Sequence, residues 1–234
     1  MIALFTTKTT HHIFFENQIY KNNKKIITVY ETKEIKPKFS THISFEKKRD
    51  KHERKAFFKS KKMNFKSRTF KVSNINKNKV LEILKQNDVK YILVFGTRKI
   101  KNNIAKKYEN KIFNLHGGNP EEFRGLDSHY WSLYHNNFNL FSCLHKLNNK
   151  LDDGDIIFLK KLNIKKNTKI HQIRSINTYS CISMALKLIN LIKNKRKIPS
   201  RKQKIVGRYY SFMPSVLKKI IEKKFTNRKN EKIF

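Results

Sequence analysis

Two polar side chains near the middle of the sequence have the types and spacing that proton transfer requires. Asn114 and His116 flank Leu115 at the end of an apolar run, and residues two apart on a strand project from the same face. A neutral imidazole can accept a proton near physiological pH, and an amide can donate to an oxygen that gains negative charge. On its own, such a pair is more often structural than catalytic.

An acidic turn follows later in the chain, at Leu151-Asp-Asp-Gly-Asp155. It places three carboxylates within four residues of a chain that has 54 Lys and Arg but only 17 Asp and Glu. A solvated turn and a divalent-ion loop are alternatives, and the loop is disfavoured because the regular spacing of calcium ligands is absent. A carboxylate beside a histidine would orient the ring and stabilise the imidazolium.

Glycine is concentrated around these residues. Of the six glycines, five lie between positions 96 and 154. Glycine is used where the backbone turns sharply or approaches a ligand closely, although ordinary loop turns explain the clustering equally well.

The elements that must position these residues alternate between strands and helices. Apolar runs predict strands at Ile2–Thr6, Ile26–Tyr30, Tyr91–Phe95, Ile112–His116 and Ile156–Leu159, and helical spacing predicts the longest helix over Ile170–Ile192. This order predicts an α/β domain with a mostly parallel sheet, whose ligands bind beyond the carboxyl ends of the strands. We therefore expect the 91–95 and 112–116 strands to be adjacent and parallel, with Gly96 and His116 opening on one crevice.

Composition limits the domain organisation, the partners and the cellular location that the chain can have. A hydrophobic fraction of 38% supports a buried core. Residues 1–195 are predicted to form the catalytic domain, and residues 196–234 a basic C-terminal extension. The net charge of +37 is spread along the chain and accompanies abundant Asn and Ile, so compositional bias is favoured over a nucleic-acid site. With only two cysteines and no apolar run long enough to span a membrane, the chain is predicted to be cytoplasmic.

Taken together, these motifs resemble those of the folate-dependent formyltransferases. The matching stretch, from Tyr91 to Leu159, reads YILVFGTRKI, then FNLHGGNPEEFRGLDSHYW, then LDDGDIIFL. The family pattern is Asn-x-His, a Pro-containing loop, a Gly often preceded by Arg, and an Asp-x-Gly turn. Its places are filled in order by Asn114, His116, Pro120, Arg124, Gly125, Asp152 and Gly154.

The resemblance implies a Rossmann-like formyltransferase fold, with 10-formyltetrahydrofolate as formyl donor and no metal. It implies that Asn114 and His116 stabilise the tetrahedral oxyanion and handle protons, while Asp152 pairs with His116. The implied folate-binding residues are Phe95, Gly96, Thr97, Ile100, Asp153, Gly154 and Asp155. The implied acceptor-binding residues are Arg124, Ser128 and Trp131. No covalent enzyme intermediate is implied, so Cys143 and Cys181 are expected to be core residues.

Departures from the family pattern bear on the amine acceptor. Gly-Gly-Asn-Pro replaces the usual Ser-Leu-Leu-Pro after the histidine, and the first strand is followed by Thr6–Thr10 without a glycine-rich phosphate loop. The tail after residue 195 is short for the barrel of the tRNA enzyme. Trp131 could be an aromatic platform for a nucleotide or simply part of the core. We expect an amino-sugar acceptor, phosphorylated or nucleotide-linked; the alternatives are methionyl-tRNA, glycinamide ribonucleotide, or a non-catalytic RNA-binding role.

Overall fold

The computed structural model describes residues 1–32, 37–41 and 43–228. The strands are β1 (Ile2–Thr7), β2 (Ile26–Glu31), β3 (Arg68–Val72), β4 (Tyr91–Val94), β5 (Ile112–His116), β6 (Phe123–Gly125), β7 (Phe141–Lys146), β8 (Ile156–Lys161) and β9 (Arg208–Tyr210). The helices are α1 (Thr10–Asn22), α2 (Ser44–Phe58), α3 (Asn78–Gln86), α4 (Asn102–Lys107), α5 (Ser128–Tyr134), α6 (Ile173–Lys193) and α7 (Ser215–Asn227).

A seven-stranded sheet in the order β3-β2-β1-β4-β5-β7-β8 forms the centre of the fold. The first five strands in this order are parallel, and β7 and β8 pair antiparallel. The prediction of a mostly parallel α/β sheet is thereby confirmed. β4 lies directly beside β5, with Val94 opposite Asn114, as we expected from their apolar runs.

Apolar side chains alternate between the two faces of the sheet and so create two cores. Leu4 and Leu93 pack in one buried cluster with residues of α1 and α6. Their neighbours Phe5 and Ile92 pack in the other, with residues of α3 and α4. A strand buried on both faces needs a continuous apolar run, which explains why β1 and β4 were readable in the sequence.

The C-terminal part of the described chain is folded against this body. β9 pairs in parallel with β6, and α7 contacts α5. Both three-residue strands were missed by the sequence analysis because they are too short to show a periodic pattern. The division at residue 195 stays a prediction, and positions 229–234 of the predicted extension lie outside the described residues.

Within the described ranges, no helix has both the length and the apolar character needed to cross a bilayer. Cys143 and Cys181 are free thiols and both are buried, in line with the expectation that they are core residues.

Candidate active site

The predicted catalytic residues come together beside β5. Asn114 Nδ2 donates to Asp152 Oδ1 at 3.1 Å, and His116 Nδ1 lies 3.6 Å from Asp152 Oδ2. His116 and Asp152 are only 6% and 7% exposed. A strand from the centre of the sheet thus supplies the amide and the imidazole, and a turn that is distant in sequence supplies the carboxylate.

A second histidine completes this cluster and was missed by the sequence analysis. His145 on β7 is the register partner of Asn114, and its Nε2 lies 3.1 Å from Asn114 Nδ2 and 3.4 Å from Asp152 Oδ1. The signal that could have found it is the alternation of Phe141–Lys146. In this strand a buried histidine is placed just before the acidic turn.

Backbone carbonyls fix which nitrogen of each ring carries hydrogen. His116 Nε2 lies 2.9 Å from the carbonyl oxygen of Phe123, and His145 Nδ1 lies 2.7 Å from that of Lys146. Because a carbonyl oxygen can only accept, these two nitrogens must be the donors. The other nitrogen of each ring faces Asp152. In a neutral ring this nitrogen is a lone-pair acceptor, and in the imidazolium it is a second donor, directed at the carboxylate.

Asp152 is adapted to remain ionised. Burial alone would raise its pKa, but His116, His145 and the backbone N–H of Gly125 favour the charged form, and together they hold the pKa of this carboxyl well below its usual range. The Gly125 N–H donates to Oδ2 at 2.9 Å. An ionised carboxylate next to two imidazole nitrogens has the composition expected of the predicted proton-handling residues.

The acidic turn has a constrained backbone. Asp152 adopts a φ of 49°, in the left-handed region that non-glycine residues occupy infrequently. At Gly154, a Cβ atom would lie only 1.8 Å from the carbonyl oxygen of Lys146, so glycine is required there. Asp153 and Asp155 point elsewhere: Asp153 contacts Asn148 at the surface, and Asp155 lies 3.5 Å from Lys146 Nζ.

A cleft of about 960 Å³ opens in front of the cluster. It is lined by eight of the predicted site residues: Asn114, His116, Asp152, Phe95, Gly96, Thr97, Ile100 and Ser128. Gly96 and His116 therefore open on one crevice, as expected from the sequence. Five other predicted residues are not among those that line it: Asp153, Gly154, Asp155, Arg124 and Trp131.

The segment after β4 forms one wall of the cleft and is fixed by hydrogen bonds to the Glu31 carboxylate. Glu31 is buried at the end of β2, and it accepts from Arg98 Nε at 2.6 Å, from Arg98 N at 3.2 Å and from Ile75 N at 2.8 Å. A carboxylate that receives several N–H groups fixes the loop to which they belong. The predicted folate-binding loop is thus anchored to the strand next to β1.

The predicted acceptor-binding residues have different surroundings. Ser128 lies in the cleft, where its hydroxyl donates to the carbonyl of Gly125. Trp131 stacks on Tyr210, with ring centroids 4.8 Å apart, and its indole N–H donates to the Ser211 carbonyl. Trp131 is thus engaged by the C-terminal part of the chain.

Histidines and arginines surround the end of the cleft nearest α1 and α2. Arg174 donates to both oxygens of Glu53 at 2.6 Å, and Arg49 lies 3.2 Å from Glu46 and 3.1 Å from Asp50. The carboxylates offset much of this positive charge.

Within the described part of the chain, no group of three His, Cys, Asp or Glu side chains has an arrangement that could hold a metal ion.

The structure is similar to solved formyltransferases. The formyltransferase PseJ from Anoxybacillus kamchatkensis, solved with UDP-4,6-dideoxy-4-formamido-L-AltNAc and tetrahydrofolate, superposes with a TM-score of 0.58 at 16% identity, covering 90% of this chain and 86% of PseJ. A 4-N formyltransferase from Francisella tularensis gives 0.61 at 16% identity, with 97% and 87% covered. Phosphoribosylglycinamide formyltransferase from Anaplasma phagocytophilum gives 0.61 at 13% identity, with 91% and 98% covered.

At such low sequence identity, the similarity to these structures shows that the fold is shared. A comparison with curated protein sequences found no match. The family model described as formyl transferase matches residues 11–177, which contain the whole cluster of Asn114, His116, His145 and Asp152. The chain therefore belongs to the formyl transferase family and is a formyltransferase.

Proposed function

We propose that this enzyme transfers the formyl group of 10-formyltetrahydrofolate to the primary amine of a nucleotide-linked amino sugar. The observation that carries the transfer step is the cluster of Asn114 with the buried His116 and Asp152 at the wall of a large cleft. A volume of about 960 Å³ lies at the upper end of the range for small-molecule sites, and so has room for a donor and an acceptor together.

The chemistry of the cluster fits attack by an amine on a formyl carbon. As the new C–N bond forms, the carbonyl oxygen gains negative charge, and the amine nitrogen must lose a proton. The Asn114 amide can stabilise that oxygen once one of its N–H groups turns from Asp152 or His145 to the substrate. The Nδ1 lone pair of His116 accepts that proton beside the Asp152 carboxylate. Return of the proton to the departing folate nitrogen lets the C–N bond to the donor break, leaving a formamide and tetrahydrofolate.

The donor is assigned from the family and from the shape of the cleft. The segment from Phe95 to Ile100 supplies an aromatic ring, backbone groups and Gly96 along one wall. At Gly96, a Cβ atom would approach His12 Nε2 to 2.2 Å, which leaves no space for a larger residue. PseJ, which shares this fold, was solved with tetrahydrofolate bound.

The nucleotide-linked acceptor is supported by two lines of reasoning. PseJ was solved with a UDP-linked formamido sugar. In addition, β1 runs into α1 through Thr7-Lys-Thr-Thr10, without the glycines that would let a loop close around a ribonucleotide phosphate. Both favour an amino sugar over glycinamide ribonucleotide.

A panel of acceptors tests the proposal. The protein is incubated with 10-formyltetrahydrofolate and, separately, with UDP- and dTDP-linked 4-amino sugars, glycinamide ribonucleotide and methionyl-tRNA. We expect tetrahydrofolate release and a formylated product, detected by mass spectrometry, with a nucleotide-linked amino sugar only. Turnover of glycinamide ribonucleotide or of methionyl-tRNA, without turnover of any amino sugar, would overturn the acceptor assignment. The His116→Ala protein is the blank for non-enzymatic transfer.

A further inference from the structure

The turn that carries Asp152 is held by a residue far along the chain. Gln203 Nε2 donates to the carbonyl oxygen of Asp152 and to that of Gly154, both at 2.9 Å. The side-chain amide has two N–H groups, so both are used. Rotating the amide by half a turn would set Gln203 Oε1 against two carbonyl oxygens, so this orientation is the only one the turn tolerates.

Gln203 lies in a strap, residues 201–208, which is itself anchored at both ends. Arg201 exchanges backbone hydrogen bonds with Ile156 at 2.8 and 2.9 Å, and its guanidinium pairs with Glu121 at 2.7 and 2.8 Å. At the other end, Arg208 N donates to the Glu122 carbonyl at 3.1 Å. Gln203 is therefore presented to the acidic turn by a segment that has little freedom to move away.

Arg124 links the strap and the turn a second time. Its Nε donates to the Gly207 carbonyl at 2.6 Å, and its Nη1 donates to the Leu151 carbonyl at 3.2 Å. The next residue, Gly125, donates its N–H to the Asp152 carboxylate. Three carbonyls of the turn and the carboxylate itself are thus bound from outside the turn.

The turn needs such support. Asp152 is held at a φ of 49°, and an unusual backbone angle at a functional residue persists only where the surroundings determine it. We propose that Gln203 is a positioning residue for Asp152, and that the strap is a working part of the active site even though it touches no reacting atom. This inference rests on the proposed role of Asp152; Gln203 itself lies outside the stretch that the formyl transferase family model matches, residues 11–177.

The sequence offers a direct spectroscopic test that needs no substrate. Of the six glycines, only Gly125 follows an arginine. Protein labelled with carbonyl-¹³C arginine and ¹⁵N glycine therefore gives one carbonyl-filtered amide resonance, that of Gly125, whose N–H donates to Asp152. The spectrum of the Asp152→Ala protein gives the chemical shift of this resonance in the absence of the hydrogen bond.

We expect Gln203→Leu to move the Gly125 amide proton upfield by more than half of the change that Asp152→Ala causes. Gln203→Glu, which places negative charge against the two carbonyls, should move it in the same direction. The matched control is Gln86→Leu, at an exposed glutamine that ends α3, and it should leave the resonance in place. Thermal unfolding of each variant defines a temperature at which all are folded.

Kinetics supply the second readout. With 10-formyltetrahydrofolate and the amino sugar that the wild type formylates, kcat of Gln203→Leu should fall about 10²-fold with KM for the donor within about twofold, since misplacing a reacting group by about 1 Å can cost that much. A Gly125 resonance that stays at its wild-type position overturns the proposal, whatever the rate. A resonance that moves while kcat stays at the wild-type value overturns it as well. Failure of the amino-sugar proposal would leave the resonance test unaffected.

Discussion

At the scale of single residues, the site is built from groups whose hydrogen positions are fixed by the backbone. The Phe123 and Lys146 carbonyls take one N–H each from His116 and His145, which leaves the other nitrogen of each ring facing Asp152. Both rings are thus held at hydrogen-bonding or ion-pairing distance from the same carboxylate. The sequence pointed to Asn114, His116 and Asp152 through their spacing. His145 was missed because the alternation of its short strand marks a buried position but does not by itself distinguish a functional histidine from a core one.

Exchange of Asp152 for asparagine separates catalysis from the general acidity of the turn. Asp152→Asn keeps the size of the side chain but removes the negative charge that we propose acts with His116 in proton transfer, so we expect kcat to fall about 10²-fold or more. Asp153→Asn, at the surface beside Asn148, should change kcat by less than about twofold, because surface substitutions away from a site have small effects. Steady-state rates of both proteins decide this. Equal losses in the two variants would mean that the turn contributes only bulk charge.

Removal of the His116 ring should affect the chemical step. His116→Ala deletes the proposed general base, and such a group typically contributes about 10²–10⁴-fold to a rate. The matched control is His171→Ala, outside the cleft. Single-turnover rates with saturating donor measure the effect without a contribution from product release. Full transfer by His116→Ala, with the control also at the wild-type rate, would assign proton acceptance to another group.

At the scale of elements, what the sequence revealed depended on burial. β1, β4 and β5 are largely buried, so apolar runs marked all three in the sequence, and the adjacency of β4 and β5 was predicted as well. β6 and β9 have three residues each, and their pairing joins positions more than 80 residues apart through backbone groups that any sequence possesses. For the same reason, the support that Gln203 gives to the acidic turn left no trace in the local pattern.

The anchoring of the β4 loop by Glu31 leads to a prediction about the donor. Glu31→Gln weakens the charge-assisted hydrogen bonds to Arg98 and Ile75, so the loop should lose some of its fixed shape. We expect KM for 10-formyltetrahydrofolate to rise about tenfold, a change of about 1.4 kcal/mol, which is within the range for a hydrogen bond to a charged group.

Glu82→Gln, on the exposed side of α3, is the control for the loss of one negative charge. Initial rates at varied donor concentration measure KM and kcat separately. A fall in kcat with an unchanged KM would show that Glu31 does not act through the donor-binding loop.

At the scale of the whole molecule, the balance of charge is strongly positive, yet His12 at the wall of the cleft is held neutral. His12 is buried, and desolvation, with a smaller contribution from Arg174, lowers its pKa from 6.5 to about 3. The unfolded chain therefore binds a proton at this histidine between pH 6.5 and 3 while the folded chain does not. Stability must fall as the pH is lowered through this range and level off above pH 6.5.

We expect the free energy of unfolding to decrease by about 2 kcal/mol between pH 6.5 and 5 because of His12, at 1.36 kcal/mol for each pH unit. His12→Gln should remove this part of the pH dependence of the free energy of unfolding, whatever the substitution does to stability at pH 7. Urea unfolding at a series of pH values measures the slope for both proteins. Identical slopes would mean that the His12 ring is protonated in the folded state.

The two buried cysteines have a practical consequence. Burial raises the pKa of the Cys181 thiol to about 12 and moves that of Cys143 in the same direction, so neither forms the thiolate that alkylating dyes attack. The natural chain thus already behaves as an unreactive background for site-directed labelling. A thiol introduced by Tyr209→Cys, at a position that lines the cleft and is 53% exposed, would be the single point of attachment for a fluorophore. Its emission would report directly on when the cleft fills and empties.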